Sequence, residues 1–368
     1  MKNEKDKSML KTTPAVFAVG DEYQIFVPLK KEAMMWVKVA GKEYYDASNG
    51  IMRSQSKLHR VSVPMAELNS AGEYTVCIRP IIKRLPYFTQ TAEVRECSFD
   101  FYPVPENNIR CYHISDAHND IDGPVAAANT FGDIDLLILN GDVIDHSGNP
   151  RKFDNVYKIC EKLTGGNKPV VFSRGNHDMR GNYAERFAEY TPNGNGNTYY
   201  TFRLGSLWGL VLDCGEDKTD DHAEYGYTVA CHDFRQRQTK FIEKVADSGE
   251  AFADGIKTRV VIVHNPFGRR HEAPFDIEDE IYDYWIKLIG EKIKPHTYIC
   301  GHCHTLTVDM PGDEHDVRGV SCPVIIGARP DKKNGKYEAC GITFGDEITV
   351  EFTDNKGGHI KKAQLFNE

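Results

Sequence analysis

The sequence predicts an α/β fold, with mixed sheets flanked by helices, preceded by a small all-β sandwich. Up to about residue 104, short stretches of β-forming residues alternate with turn residues, and no strong helical pattern is present. Beyond that point, strands alternate with segments of helical period, as in a sheet with helices over its faces. Five of these later strands lead into Asp, Asn or His residues.

The N-terminal segment, residues 1–104, is predicted to be an immunoglobulin- or fibronectin-like β-sandwich. Apolar Val61 and Val63 alternate with polar neighbours, as expected for a half-buried strand. The stretch Pro103-Val104-Pro105 has the character of a short stiff linker, so the boundary is placed between residues 104 and 105. The candidate strands are 23–27, 35–39, 58–63, 74–78 and 93–101.

Residues 105–368 form the second predicted domain, which carries four segments of helical period and two hairpins. In the last helical segment the apolar residues fall on one stripe, which favours packing in the core. The helical segments are 155–163, 183–190, 236–245 and 277–289, and the hairpins join 199–204 to 208–212 and 339–344 to 348–352.

Composition and charge restrict the partners of the protein. A length of 368 residues suggests about two domains. The net charge of −9 argues against binding to duplex nucleic acid or to anionic membranes, which require a basic surface. No signal peptide and no membrane-spanning stretch is evident, and the ten cysteines are scattered, so we expect a cytoplasmic location. The oligomeric state stays open.

The five strands that lead into polar residues are 110–115, 136–140, 170–174, 260–263 and 297–300. The C-terminal edge of the strands is where α/β sheets build their sites. Residues two apart in an extended chain point the same way, so each of the pairs Asp-x-His and His-x-His is predicted to converge. The polar residues are Asp116, His118, Asp142, Asp145, Asn176, His177, His264, His302 and His304.

Two further features of these strand ends indicate a metal site. Glycines stand before Asp142, Asn176 and His302, where they would let the backbone turn sharply. Burying so many carboxylates and imidazoles together would be costly without compensation, and bound cations supply it.

The residues at these positions resemble the calcineurin-like metallophosphoesterase family. The family signature is Asp-x-His, Gly-Asp-x-x-Asp, Gly-Asn-His-Asp/Glu, a later His and Gly-His-x-His, and it is present here in order. The resemblance implies a four-layer fold over residues 105–368 and two divalent metal ions, for which the ligands suit Mn, Fe, Zn or Ni. It also implies that Asp116, His118 and His304 bind one metal, that Asn176, His264 and His302 bind the other, and that Asp142 bridges them.

The same resemblance implies that the protein is a phosphoester hydrolase, either a phosphatase or a phosphodiesterase. A hydroxide between metals roughly 4 Å apart would attack phosphorus in line with the leaving group. His177 would protonate the leaving oxygen or stabilise the transition state, and Asp145 would hold the His177 ring. The substrate would be a small phosphomonoester, phosphodiester or nucleotide.

Four residues near the predicted ligands in sequence are candidates for contacting the substrate phosphate. They are Arg180, Asn265, Arg269 and Arg270. A solvated loop charge is an equally good interpretation of each. The stretch 214–233 is predicted to be a long acidic loop with solvated charges, in which Tyr225 and Tyr227 could stack on a base or pack locally.

Two departures narrow the class of substrate. Protein Ser/Thr phosphatases of this superfamily carry Arg and Glu where this chain has His146 and Asp178, which weakens the case for a phosphoprotein substrate. Purple acid phosphatases also carry an N-terminal β-sandwich, but they have Tyr where this chain has Asp145, so a purple, Tyr-ligated iron site is not expected.

The alternative function is a catalytically silent scaffold of this fold that binds a protein. Such scaffolds typically lack the His that is present here as His177.

Overall fold

The structure, a computed structural model, describes residues 7–48, 50, 53–269 and 271–365. The strands of the N-terminal part are β1 (Ala15–Val19), β2 (Glu22–Val39), β3 (Lys42–Tyr45), β4 (Gln55–Pro64), β5 (Glu73–Lys83), β6 (Gln90–Thr91) and β7 (Arg95–Asp100). The following strands are β8 (Ile109–Ile114), β9 (Leu136–Asn140), β10 (Pro169–Ser173), β11 (Tyr200–Leu204), β12 (Leu207–Val211), β13 (Thr258–Ile262), β14 (Thr297–Cys300), β15 (Leu306–Asp309), β16 (Val324–Asp331), β17 (Lys336–Phe344), β18 (Ile348–Asp354) and β19 (His359–Leu365). The α-helices are α1 (Met65–Ala71), α2 (Asp122–Phe131), α3 (Asp154–Thr164), α4 (Cys231–Ser248) and α5 (Asp279–Leu288).

Two mixed sheets form the centre of the larger part of the protein, which begins with β8. One has the strand order β1-β10-β9-β8-β17-β18-β19, in which β1, β10, β9 and β8 are parallel. The other has the order β11-β12-β13-β14-β16-β15, in which β12, β13, β14 and β16 are parallel. Strand β16 joins the two sheets, because its first residues pair with β14 and β15 and its last residues pair with β17.

The apolar core lies in three layers between and outside the two sheets. Ile138, Val260 and Ile342 belong to the cluster that the two sheets enclose. Helices α2 and α3 cover the outer face of the first sheet, and α4 and α5 cover the outer face of the second. Every residue of β9, β10 and β12 is buried, as expected for parallel strands covered on both faces. The predicted order of helix, sheet, sheet and helix is therefore confirmed.

Most of the predicted elements of this part are present. The five strands that lead into polar residues are found as β8, β9, β10, β13 and β14, and both hairpins are antiparallel pairs. The prediction of a helix over 183–190 is wrong, because Ala184–Glu189 forms 3₁₀ turns around a non-helical Arg186. Helix α2 was not predicted, since its Asp-Gly-Pro start looks like a turn, although Pro124 fits the first turn of a helix.

The described residues of the N-terminal part form strands, a 3₁₀ turn (Lys7–Met9) and one short α-helix. The predicted strands 23–27 and 35–39 are two halves of β2, of which the first pairs with β1 and β4 and the second with β3 and β5. Helix α1, which was not predicted, ends where Gly72 adopts a φ of 64°. Strand β1 pairs in parallel with β10, so these strands continue the first sheet of the larger part. The division into domains at residues 104 and 105 stays a prediction.

Side-chain contacts also join the N-terminal strands to the larger part. Gln24 Nε2 donates to the main-chain oxygen of Asn193 at 2.7 Å, and the Asn193 N–H donates back to Gln24 Oε1 at 3.1 Å. The Tyr74 hydroxyl donates to the carbonyl oxygen of Gly166 at 2.8 Å. No helix in the described part of the chain is long and apolar enough to cross a membrane.

The pairing of β1 with β10 leads to a testable stability effect. Phe17 of β1 is fully buried, with its ring 6.4 Å from that of Phe172 in β10 and 5.5 Å from that of Phe26. We expect Phe17→Ala to lower the free energy of unfolding by about 3–5 kcal/mol, measured by chemical denaturation. Phe88→Ala, at a ring that is 83% exposed, is the control and should change it by less than about 0.5 kcal/mol.

A deletion tests the same pairing more severely. Residues 105–368 expressed alone should aggregate, because the edge of β10 that β1 covers would be exposed. A soluble fragment with the thermal stability of the full chain would contradict this dependence.

Candidate metal centre

The polar residues predicted from the strand ends lie together at one edge of the two sheets. Parallel strands carry the segments that follow them to the same edge, and β8, β9 and β10 do so in one sheet while β13 and β14 do so in the other. The site therefore lies where the C-terminal edges of two facing sheets meet.

The first cluster of candidate ligands contains Asp116, His118 and His304. One potential ligand atom from each lies within 4.8 Å of the others. His304 Nε2 is 3.3 Å from Asp116 Oδ1, and the rings of His118 and His304 are 5.6 Å apart. Asp116 is fully buried, whereas the His304 side chain is half-exposed. This cluster can therefore be reached from solvent.

The second cluster lies next to the first and contains Asn176, His264 and His302. Asn176 Oδ1 is 3.2 Å from His302 Nδ1, and the rings of His264 and His302 are 5.4 Å apart. Asp142 stands between the clusters, because it forms one group of potential ligands with Asp116 and His264 and another with His118 and His177. The structure thus brings together every residue predicted as a metal ligand, and their assignment to particular metals stays a prediction.

Two buried atoms at the centre of the site have no hydrogen-bond partner in the described part of the chain. They are Asp116 Oδ1 and His264 Nε2, which are 3.8 Å apart. The Nδ1 atom of His264 is 2.8 Å from the carbonyl oxygen of Asn140, which directs Nε2 towards the carboxylates. Buried polar atoms without partners are rare and cost about 1–3 kcal/mol each. These carboxylate and imidazole atoms fit a divalent cation.

The pKa values of the histidines at the site also favour a bound cation. Burial opposes a charge on His264, but the Asp142 and Asp116 carboxylates outweigh it and raise the pKa of His264 to about 10. Burial lowers the pKa of His118 and of His302 to about 4, so both imidazoles are neutral near pH 7. Neutral imidazoles can coordinate a metal, and a cation can replace the proton that His264 would otherwise hold.

The backbone at the candidate ligands is turned rather than extended. The φ angles are 54° at Asp116, 45° at His118, 53° at Asp142, 65° at His302 and 50° at His304. Non-glycine residues rarely adopt this left-handed region, and they keep it where the surroundings impose it. The expectation that the Asp-x-His and His-x-His pairs converge as extended chain is therefore wrong. Each pair converges by a sharp turn beyond the end of its strand.

Two glycines at the site are required by close approach. A Cβ on Gly301 would lie 1.8 Å from Ser115 Oγ and 2.9 Å from Asp116 Oδ2. A Cβ on Gly175 would lie 2.2 Å from Asp142 Oδ1. Glycines were predicted before Asp142, Asn176 and His302 to allow a sharp turn of the backbone. Of these, Gly141 has a positive φ, of 76°. The carboxylates of Asp116 and Asp142 therefore pack against bare backbone.

His177 lies beside the clusters and reaches solvent. Its main-chain N–H donates to Asp142 Oδ1 at 2.9 Å, and its ring is 4.8 Å from that of His118. Its Nδ1 atom is 3.1 Å from the main-chain oxygen of Asp145, so the carbonyl rather than the predicted carboxylate contacts the ring. The Asp145 carboxylate instead accepts a hydrogen bond from Lys152, which, against the effect of burial, holds the pKa of Asp145 at about 2.

The residues predicted to contact substrate differ in their surroundings. Arg180 binds both carboxylate oxygens of Glu216, each at 3.0 Å, and Arg269 lies 3.1 Å from Asp309. Asn265 lines an open pocket beside His302, and its buried Oδ1 has no hydrogen-bond partner in the described part of the chain. Arg270 lies outside the described residues.

The prediction of solvated charges on the acidic loop is wrong for two residues, Glu216 and Asp217. Both are buried, because Arg180 pairs with Glu216, and Lys218 donates to Asp217 Oδ1 at 2.9 Å. Tyr225 packs locally, and its hydroxyl donates to the same oxygen at 2.9 Å. Sequence reasoning missed that Asp217 reaches the site, although it follows a buried strand, β12, as the other site residues do.

The close approach at Gly301 gives a prediction about metal binding. Gly301→Ala would displace Ser115 and Asp116, so we expect it to weaken the binding of Mn²⁺ to metal-stripped protein by about 10–100-fold. Isothermal titration calorimetry measures this directly. Phe88→Ala, at a ring that is 83% exposed, is the control. Wild-type affinity in Gly301→Ala would contradict the packing described here.

Solved structures match this chain at low sequence identity. A purple acid phosphatase from seeds of yellow lupin (Lupinus luteus) has a similar structure, with a TM-score of 0.59 and 14% identity over 96% of this chain and 74% of that chain. A predicted phosphoesterase from Streptococcus pneumoniae matches with a TM-score of 0.35 and 11% identity over 71% and 98% of the two chains. Vacuolar protein sorting 29 from Cryptosporidium parvum matches with a TM-score of 0.36 and 10% identity over 71% and 100%.

The lupin match shows a likeness of fold that extends over nearly the whole chain, including the N-terminal strands. No curated protein sequence matches this chain. The sequence model described as calcineurin-like phosphoesterase matches residues 109–306, which include all the candidate ligands. The protein belongs to the calcineurin-like phosphoesterase family.

Proposed function

We propose that the protein is a metal-dependent hydrolase of phosphoesters. The observation that carries the proposal is the pair of buried atoms, Asp116 Oδ1 and His264 Nε2, that lack a hydrogen-bond partner among the described residues and lie at the centre of the candidate ligands. Two divalent ions, of Mn, Fe, Zn or Ni, would be held at this place. Asp116, His118 and His304 would bind the first, Asn176, His264 and His302 would bind the second, and Asp142 would bind both.

Two bound metal ions would activate a water for attack on phosphorus and would offset the charge that develops on the phosphate oxygens. His177 would provide general acid catalysis. Because its Nδ1 faces the carbonyl of Asp145, Nε2 is the atom that would pass a proton to the leaving oxygen. The His177 side chain is about one-third exposed, so it can meet a substrate that enters from solvent.

The substrate that we propose is a small phosphomonoester, phosphodiester or nucleotide. The pocket beside His302 supports this proposal, because its lining combines the apolar rings of Phe267 and Phe275 with the amide of Asn265. Arg180 and Arg269 are each paired with a carboxylate, so the metal site would supply most of the positive charge for the phosphate. The net charge of −9 supports a substrate other than duplex nucleic acid, and the composition favours a cytoplasmic location.

Hydrolysis of para-nitrophenyl phosphate and its bis-ester, by metal-stripped protein reloaded with Mn²⁺, tests the proposal. We expect turnover that requires the metal. His177→Ala should lower kcat about 10²–10⁴-fold through loss of the acid, and Asp142→Asn should abolish turnover through loss of the shared carboxylate. His315→Ala, at a surface histidine, should leave turnover unchanged.

Two results would contradict the proposal, and they differ in meaning. Failure of the wild-type protein to bind any of the four metals would exclude a metal-dependent hydrolase. Two metals bound per chain without turnover of either ester would favour a scaffold that binds a protein partner.

A further inference from the structure

Asp217 presents its two carboxylate oxygens to two different sets of partners. The side chain is 9% exposed and lies on the loop that follows β12. Its Oδ1 atom accepts hydrogen bonds from Lys218 Nζ and from the Tyr225 hydroxyl, each at 2.9 Å. Its Oδ2 atom is 3.5 Å from Asn176 Nδ2 and 3.8 Å from His302 Nε2. One oxygen is thus held by the loop, and the other faces the second cluster.

The atoms of Asn176 and His302 that face Asp217 are not the atoms that face each other. Asn176 Oδ1 and His302 Nδ1 are 3.2 Å apart, so the amide oxygen and one ring nitrogen meet within the cluster. The amide nitrogen and the other ring nitrogen are turned towards Asp217. An ionised carboxylate only accepts hydrogen bonds, so it favours donors at these two positions. Asp217 therefore favours the orientation in which Asn176 Oδ1 and His302 Nδ1 present lone pairs to the cluster.

The loop keeps the Asp217 carboxylate in this orientation. Lys218 Nζ also lies 3.1 Å from Glu224, and the Lys218 main-chain N–H donates to the Tyr225 hydroxyl at 3.2 Å. Rotation of the carboxylate would break both hydrogen bonds to Oδ1. The charge of Lys218 also offsets the cost of burying the carboxylate, as a close and hydrogen-bonded partner can.

We propose that Asp217 is a positioning residue for the second metal site, where its Oδ2 atom orients Asn176 by accepting a hydrogen bond from Asn176 Nδ2 and orients His302 by attracting the N–H at Nε2, 3.8 Å away. This inference rests on the proposed function, because it takes both residues as metal ligands. Carboxylates that accept from the outer nitrogen of a metal-binding histidine fix its tautomer and raise its basicity, and their loss typically weakens metal binding 10–100-fold. The effect is confined to one of the two sites, because no contact of the Asp217 carboxylate reaches His118 or His304 in the described part of the chain.

The test is a calorimetric titration of metal-stripped protein with Mn²⁺, in wild type, Asp217→Asn and Asp221→Asn. Wild type should bind two ions per chain. Asp217→Asn should bind one ion with wild-type affinity and the other about 10–100-fold more weakly. Asp221→Asn makes the same substitution at an exposed carboxylate of the same loop, which accepts a hydrogen bond from Thr219 Oγ1, and both of its affinities should stay within about threefold of wild type.

A spectroscopic measurement distinguishes positioning from loss of structure. With Co²⁺ in place of Mn²⁺, Asp217→Asn should alter the visible absorption of one of the two bound ions. The thermal unfolding of the metal-free protein should be the same for Asp217→Asn and Asp221→Asn.

The outcomes separate this inference from the proposed function. Unchanged affinities in Asp217→Asn, or an equal loss in Asp221→Asn, would overturn the positioning role while the two-metal site stands. No metal bound by the wild-type protein would overturn the proposed function itself.

Discussion

The structure of the site depends on two carboxylates, Asp116 and Asp142, that are buried at neighbouring strand ends with too few hydrogen-bond donors to balance their charge. Asp116 Oδ1 has no hydrogen-bond partner in the described residues, and the imidazoles that lie nearest are those of His304, 3.3 Å from Asp116 Oδ1, and His264, 3.3 Å from Asp142 Oδ2. Isolated buried charges are among the most costly groups in a protein. The fold can keep this arrangement only if positive charge is supplied, and a pair of divalent ions would supply it.

Much of the surrounding architecture serves to bring these groups together. Five parallel strands in two sheets direct their C-terminal ends to one edge, and the two sheets are joined through β16. The backbone then turns through left-handed φ angles at Asp116, His118, Asp142, His302 and His304. Strain of this kind costs about 1–3 kcal/mol per residue and concentrates at functional sites. The apolar cores pack against both faces of each sheet and fix the strand ends, so they can hold these turns in place.

The strands and the identities of the candidate ligands were readable from the sequence, because apolar runs that end in Asp, Asn or His carry a strong local signal. The left-handed turns could not be predicted from the sequence. An Asp or a His, as at positions 116 and 302, adopts extended or helical backbone far more often than a positive φ. Asp217 was missed for a different reason. Its role depends on contacts with Asn176, more than forty positions earlier, and with His302, so its sequence context showed only an acidic loop. The pairing of β1 with β10 likewise joins segments far apart in the chain.

The most direct test of the account is a crystal structure of the Mn²⁺-loaded protein with anomalous scattering measured at the manganese edge. The account predicts two anomalous peaks about 3.5–4 Å apart. One should lie against Asp116, His118 and His304, the other should lie against Asn176, His264 and His302, and Asp142 should contact both. A single peak, or peaks away from these residues, would contradict the two-metal site on which the proposed function rests.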